Sequence, residues 1–363
     1  MIIPNTMQAM ILSGHGGPDK LEWHTDWPTP QPGPGEVLIK VAACGLNNTD
    51  INTRSGWYSK DVTEATTTDA YAKVGTDGTW GGSGISFPRI QGADVCGIVV
   101  AAGPDTDTSL IGKRVLTDAW LRDWSQPMNR DTTGYFGSER DGGFAQYTTT
   151  DARNVGIVNS PLSDAELATF SCSYTTAEGM LSRAQVTDSD TVLIAGASGG
   201  VGSALIQLAN RRGATTVALA SPAKHADVAK LNPNHILPRA PEDLGAALQN
   251  ATGNAKVTVV ADIVGGPYFP TLIERIARGG RYVTSGAIAG PIVDLDLRTL
   301  YLQDLTFHGS TVIEPHIFTD LIRYIEAGEV RPVLAKTYPL KDLHAAQQAF
   351  VDKKHTGNIV VIP

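Results

Sequence analysis

Over the first 160 residues the apolar positions fall in short β-rich runs broken by glycine and proline: AMILSGH, the turn-rich TPQPGPGE, VLIKVAACGLN, then CGIVVAAG and KRVLTDAW. Runs of this length between turn signals predict short strands and a mostly β, barrel-like domain. Near position 160 the texture changes. TVLIAG leads to VGSALIQLANRRG, TTVALA to AKHADVAKLN, KVTVVADIVGG to YFPTLIERIARGG, and RYVTSGA closes the series. Apolar strands alternating with helical stretches predict an α/β domain, a doubly wound parallel sheet with helices on both faces. After about Ser310 come an amphipathic helix, FTDLIRYIEAGE, then PVLAKTYPL, a second helix, DLHAAQQAFVDKK, and a strand, NIVVI. That tail is expected to pack back on the first domain. The expected domains are therefore 1–160 with 311–363, and 161–310.

Two stretches, Ser59–Pro88 and Trp120–Gly143, are polar and irregular. Long loops in a compact protein are usually lids or insertions, and the first is expected to lie over a substrate cleft. Trp57, Tyr71, Trp80, Trp120 and Trp124 either wall that cleft or pack the insertions onto the body.

Composition narrows the function. A formal net charge of −8 without a basic run argues against nucleic acid or an anionic membrane as partner, which leaves a small molecule. No apolar stretch approaches the roughly 20 residues needed to span a bilayer. The N-terminal MIIPNTMQAMILSGHGG has no secretory pattern, so a cytoplasmic protein is expected. The cysteines Cys44, Cys96 and Cys172 lack paired spacing and are expected to be buried free thiols. The eight histidines show no metal-ligand spacing.

The most informative segment is Thr191–Ser221, TVLIAGASGGVGSALIQLANRRGATTVALAS. A strand ends in Gly196, Gly199, Gly200 and Gly202, with Val201 among them, and opens directly onto a helix and a second strand. Glycines there permit a tight turn and close approach of a pyrophosphate to the helix N-terminus, so a dinucleotide is expected. An NAD site usually places an acid after the second strand; here Ser221 and Lys224 stand instead, which would suit a 2′-phosphate. NADPH is the expected cofactor, unless Lys224 is only a solvated helix residue.

Taken together, GEVLIKVAACGLNNTDINTRSGWY, GASGGVG, DIVGG, ARGGRYVTSG, LYLQDLTFHGS and HTGNIVVIP resemble, in order, the medium-chain dehydrogenase/reductase superfamily. The resemblance covers nearly the whole chain. It implies a GroES-like β-rich catalytic domain built from both chain ends, a Rossmann domain between them, and a homodimer paired through a sheet edge.

Zinc alcohol dehydrogenases carry a Cys three residues before an Asp in this stretch, a His-Glu pair further on, and a second Cys. This chain has Asn47 before Asp50, then Ala93 and Asp94, and only Cys172 at a ligand position. One thiolate does not hold a catalytic zinc, so a metal-free enzyme is expected. Asn47, Asp50, Arg54, Gly56 and Tyr58 instead resemble the quinone-oxidoreductase branch. The resemblance implies Asn47 and Tyr58 on the substrate side, and Asp50 with Arg54 as a structural ion pair. It also implies Val264, Gly265, Ser285 and Gly286 near the nicotinamide, Thr176 near the nicotinamide or the pyrophosphate, though it also suits a helix cap, and Asn358 where relatives carry Arg or Lys, so that a pyrophosphate contact from this tail is weaker here.

Without a Lewis acid the expected acceptor is a quinone or α,β-unsaturated carbonyl, whose conjugation spreads the incoming charge. Asn47 and Tyr58 would position its carbonyl, with Tyr58, at an ordinary pKa near 10, or water as proton source. Reduction of another activated carbonyl or an acyl thioester is the alternative, and a noncatalytic NADPH-binding sensor is a third.

Overall fold

The computed structural model describes residues 2–66 and 85–363; Tyr71 and Trp80 lie outside them. The chain forms two compact units, divided after Cys172 and again before Glu314. Residues 63–66 belong with the second unit, where the Thr66 N–H donates to the Ile288 carbonyl at 2.9 Å.

The first unit opens with an antiparallel pair, β1 (Thr6–Leu12) and β2 (Leu21–Pro28). Then come β3 (Glu36–Gly45), α1 (Asn48–Ser55), β4 (Asp94–Ala102) and β5 (Arg114–Thr117). A small pair, β6 (Trp120–Leu121) with β7 (Gly134–Tyr135), lies within the second irregular stretch, followed by β8 (Tyr147–Asp151), β9 (Val155–Ile157) and α2 (Asp164–Leu167). β3 is central: it pairs with both β4 and β8, and Val37, Leu38 and Ile39 are fully buried. Burial of successive residues on both faces is why Val37–Ile39 reads as an unbroken apolar run, which the exposed Lys40 then interrupts.

α3 (Ser171–Arg183) spans the boundary residue, and the second unit then alternates strand and helix. Its elements are β10 (Thr191–Ile194), α4 (Gly200–Arg211), β11 (Thr215–Ala220), α5 (His225–Ala229), β12 (His235–Pro238) and α6 (Leu244–Thr252). They continue with β13 (Val257–Asp262), α7 (Phe269–Glu274), β14 (Ile276–Thr284), α8 (Leu297–Leu302) and β15 (Thr306–Gly309). The sheet order is β12-β11-β10-β13-β14-β15, with every pair parallel. Chain order reverses between β10 and β13, the switch point where open α/β sheets bind ligands. Leu193, Val217, Val260, Leu272, Ile276 and their neighbours form the core on one side of this sheet.

The helix expected over YFPTLIERIARGG stops at Glu274, and IARGG belongs to β14 instead. Ile276 pairs with Val257 and Arg281 with Val259, so parallel ladder bonds take precedence over the local helical pattern.

The tail comprises α9 (Pro315–Glu326), β16 (Leu334–Pro339), α10 (Leu343–Val351) and β17 (Asn358–Ile362). β17 lies antiparallel to β3, pairing Val360 with Gly45, and thereby extends the first unit's sheet. Among the described residues no helix is long and apolar enough to cross a membrane.

Candidate functional site

In the second unit the loops at the carboxyl ends of β10, β13 and β14 converge. Gly196 takes φ 71°, a left-handed conformation suited to glycine. A Cβ on Gly202 would lie 2.2 Å from the Gly196 carbonyl oxygen, so α4 can start this close to β10 only with glycine there. Gly199 differs: its Cβ would meet only Gly196 O, at 3.6 Å. Gly199 is the N-cap of α4 and has no side chain to accept the N–H groups of Gly200, Val201 and Gly202. These donors at a positive dipole end fit a pyrophosphate.

The neighbouring loops are tied to this turn. A Cβ on Gly196 would touch Val264 Cγ2 at 3.0 Å, the Ala289 N–H donates to the Val264 carbonyl at 2.8 Å, and Gly286 lies against the Ile263 backbone. Gly196, Val264, Gly265 and Gly286 are thus brought together, with Ser285 beside them in the chain. Asp262, fully buried, holds the arrangement by accepting from Val264 N at 2.7 Å, Gly265 N at 3.2 Å and the Tyr282 hydroxyl at 2.8 Å. Sequence reasoning missed both Asp262 and Tyr282; the only available signal was an acid ending a strand, three residues before the GG pair.

Ser221 and Lys224 follow β11, and the Lys224 N–H closes a turn onto the Ser221 carbonyl at 2.9 Å. Partial burial and the charge of Arg239 hold the Lys224 ammonium below its usual value. Arg239 directly follows β12, the strand beside β11, and gives this end of the sheet a second cation that sequence reasoning did not single out. Thr176, partly buried, lies within α3 rather than at its first residue. Asn358 is built into the first unit's sheet, where it is 3% exposed and its N–H donates to the Val333 carbonyl at 2.8 Å.

In the first unit α1 sets the geometry. Asn47 is its N-cap in extended conformation, and Asp50 at the third helical position reaches back to accept the Asn47 N–H at 2.7 Å. The Asn47 side chain completes the capping box toward the Asp50 backbone N–H, while its Nδ2 donates to Asp94 Oδ2 at 3.1 Å. Asp94 Oδ1 accepts the Cys172 N–H at 2.7 Å. Burial pushes both Asp50 and Asp94 up to about 7, outweighing the N–H donors that favour their charged forms. Arg54 donates to the Gly16 carbonyl at 2.8 Å and to Gln347 Oε1 at 3.2 Å, and its charge draws the Asp50 carboxyl down.

Tyr58 is partly buried, packs edge-on to Trp57 at 5.7 Å, and its hydroxyl bonds Thr49 and Asn52. Burial pushes that hydroxyl up to about 12, which replaces the ordinary phenol acidity expected from sequence. A phenol held that high serves as a hydrogen-bond partner and is a poor proton source at neutral pH. Cys44 and Cys96 are buried thiols outside any disulfide, as expected; Cys172 is also in no disulfide but is only half-buried, and its thiol bonds the Tyr135 side chain. Trp120 stacks edge-on with Tyr135 at 4.9 Å within its own stretch, whereas Trp124 donates to Asn154 at 3.3 Å and ties that stretch to the body of the unit.

A catalytic zinc ion needs about three protein ligands. Here Asn47 presents an N–H donor, both Asp94 oxygens already accept N–H groups, and the thiols beside them are the half-buried Cys172 and the fully buried Cys44, which burial pushes well above its usual value. Those residues do not fit zinc, and among the described residues no group of three His, Cys, Asp or Glu is placed to hold a metal ion.

A six-stranded parallel sheet in this order with a glycine-lined helix start, together with a β-rich unit built from both chain ends, defines a two-domain dinucleotide-dependent oxidoreductase. Residues 33–160 match the alcohol dehydrogenase GroES-like domain, and residues 200–327 match the family described as zinc-binding dehydrogenase. A solved structure from Sinorhizobium meliloti 1021, provisionally assigned as an alcohol dehydrogenase, is 45% identical with a TM-score of 0.90, covering 99% of this chain and 98% of its own. The quinone oxidoreductase of Lama guanicoe is 25% identical over 98% of this chain and 97% of its own length. The acryloyl-coenzyme A reductase of Metallosphaera sedula is 24% identical over 98% and 99%. The chain belongs to the medium-chain dehydrogenase/reductase superfamily and is an oxidoreductase with a GroES-like and a Rossmann-type domain.

Proposed function

We propose that this protein transfers hydride from NADPH to a quinone or α,β-unsaturated carbonyl without a metal. The observation that carries the reading is the set of groups around Asn47: an amide, a carboxylate already accepting two N–H groups, a half-buried thiol and a high-pKa phenol. None of these supplies the Lewis acid that alkoxide chemistry calls for, whereas a conjugated acceptor carries its own means of spreading charge. The chain's residues have separate tasks. Gly199–Gly202 would hold the pyrophosphate, Ser221, Lys224 and Arg239 a 2′-phosphate, and the Val264–Gly265 and Ser285–Gly286 loops the nicotinamide. The bound cofactor supplies hydride. Asn47 and Tyr58 orient the acceptor carbonyl, and water, rather than the Tyr58 phenol, supplies the proton.

An unsaturated acyl thioester is the second reading, favoured by the acryloyl-coenzyme A reductase relative. We also propose a homodimer formed through the free edge of β15, beside which Leu297, Tyr301 and Leu302 of α8 are exposed.

The test is loss of nicotinamide absorbance with NADPH and NADH separately, against quinones, enones, enals, unsaturated acyl thioesters and saturated aldehydes. NADPH-selective turnover of quinones and enones is expected. Turnover confined to saturated aldehydes would overturn the reading, and turnover confined to thioesters would replace it with the second.

A further inference from the structure

The Val264–Gly265 turn has little in its own sequence to hold it still. Gly265 takes φ 60° and ψ −144° and Gly266 takes φ 67°, conformations that glycine enters readily and leaves as readily. One side chain pins the turn from behind. Asp262, fully buried at the end of β13, accepts the Val264 N–H at 2.7 Å and the Gly265 N–H at 3.2 Å. Its Oδ2 accepts the Tyr282 hydroxyl at 2.8 Å. Hydrogen bonds to a charged acceptor are about twice as strong as neutral ones, and burial keeps water from competing for them.

Tyr282 is itself fixed. It stands on β14 two residues before Thr284, the ladder partner of Asp262, and its ring packs edge-on against Phe269 at 5.2 Å and tilted against Phe307 at 5.1 Å. Burial and the Asp262 charge hold its phenol far above the usual range, so it remains a donor. The hold extends to the next loop as well: the Val264 carbonyl accepts the Ala289 N–H at 2.8 Å, and the Gly266 N–H donates to the Gly290 carbonyl at 3.1 Å. A line of contacts thus runs from the aromatic core through Tyr282 and Asp262 to the Val264–Gly265 turn, and on to the loop that follows Ser285 and Gly286. Resting on the reading of these loops as the nicotinamide site, we propose that Tyr282 and Asp262 are positioning residues, which set the place of the nicotinamide ring through the turn.

Tyr282→Phe tests this, because the ring and its packing stay and one hydroxyl goes. Two ligands separate positioning from general loosening: NADPH, and adenosine 2′,5′-bisphosphate, which carries the nucleotide half alone. Affinities come from titration calorimetry, and the fluorescence lifetime of bound NADPH reports how firmly the reduced ring is held. In the variant the Kd for NADPH is expected to rise about fivefold, the scale of one hydrogen bond, with the lifetime moving toward that of free NADPH. The Kd for the bisphosphate should change less than about twofold, since Ser221 and Lys224 lie outside the Asp262 contacts. With a quinone or enone, kcat should fall about tenfold, because a small misplacement of the reacting atoms is costly.

Asp262→Asn, which exchanges the charge for an amide of the same shape, should give the same pattern, and it decides the matter if Tyr282→Phe does not fold. Equal weakening of both ligands would reduce the pair to a structural role and overturn the proposal, as would variants indistinguishable from wild type. If NADH is the tighter cofactor, NADH and ADP-ribose make the same comparison. Wild-type protein that binds neither NADPH nor NADH would mark a different failure, that of the cofactor reading, and the proposal would fall with it.

Discussion

The individual residues of the site answer to burial first. Tyr58 sits in a setting that pushes its hydroxyl up to about 12, so Tyr58→Phe should cost only a few-fold in kcat/KM, the loss of one neutral hydrogen bond. Its pH profile should match the wild type below about pH 10. A hundredfold loss of kcat would restore Tyr58 as proton donor. Asp50 gives a stability prediction with a definite sign. Its folded carboxyl lies near 7, above the unfolded value, so protonation favours the fold. That contribution is complete below about pH 4 and is lost as pH rises through about 7. Unfolding free energy from denaturant titration should therefore fall between about pH 4 and 7, and less steeply in Asp50→Asn. At the other end of the reaction, Lys224→Ala should raise the KM for NADPH about tenfold and leave that for NADH unchanged, since only NADPH offers a phosphate to the ammonium. Asn47, Tyr58 and Lys224 could be named as candidates from sequence because they stand next to strong local signals. Asp94 was named only as a missing zinc ligand, and its contacts reach 47 residues back to Asn47 and 78 forward to Cys172, separations no local pattern encodes.

Among the elements, the start of α4 carries the sharpest contrast. A Cβ at Gly202 would press into the Gly196 carbonyl at 2.2 Å, whereas one at Gly199 has room within the protein. Gly202→Ala should therefore destabilise the fold by about 1–3 kcal/mol and abolish NADPH binding. Gly199→Ala should cost less than about 1 kcal/mol of stability while weakening NADPH, because its methyl group would stand in the pyrophosphate's path. Thermal melts with and without NADPH separate the two; equal destabilisation would contradict the assigned roles. The alternation of strand and helix from β10 to β15 was read correctly where period and length agreed. It failed at IARGG, where the apolar residues suit either state and pairing with β13 made the choice.

For the whole molecule, the proposed homodimer predicts elution at the mass of two chains, and Leu302→Glu, which places a carboxylate on an exposed apolar helix face, should shift it to one. A monomeric wild type would remove the edge-pairing proposal. The sequence alone determined the two kinds of texture, the nucleotide turn and the absence of a local zinc-ligand pattern, because periodicity, glycine placement and residue identity are short-range properties. Tertiary structure alone decided what those residues meet. It joined β17 to β3, placed Arg239 beside Lys224, put Asp262 behind the Val264–Gly265 turn and locked Asn47 against Asp94. Each of these depends on strands distant in sequence lying side by side, and on burial stripping water from the carboxylates that hold the loops.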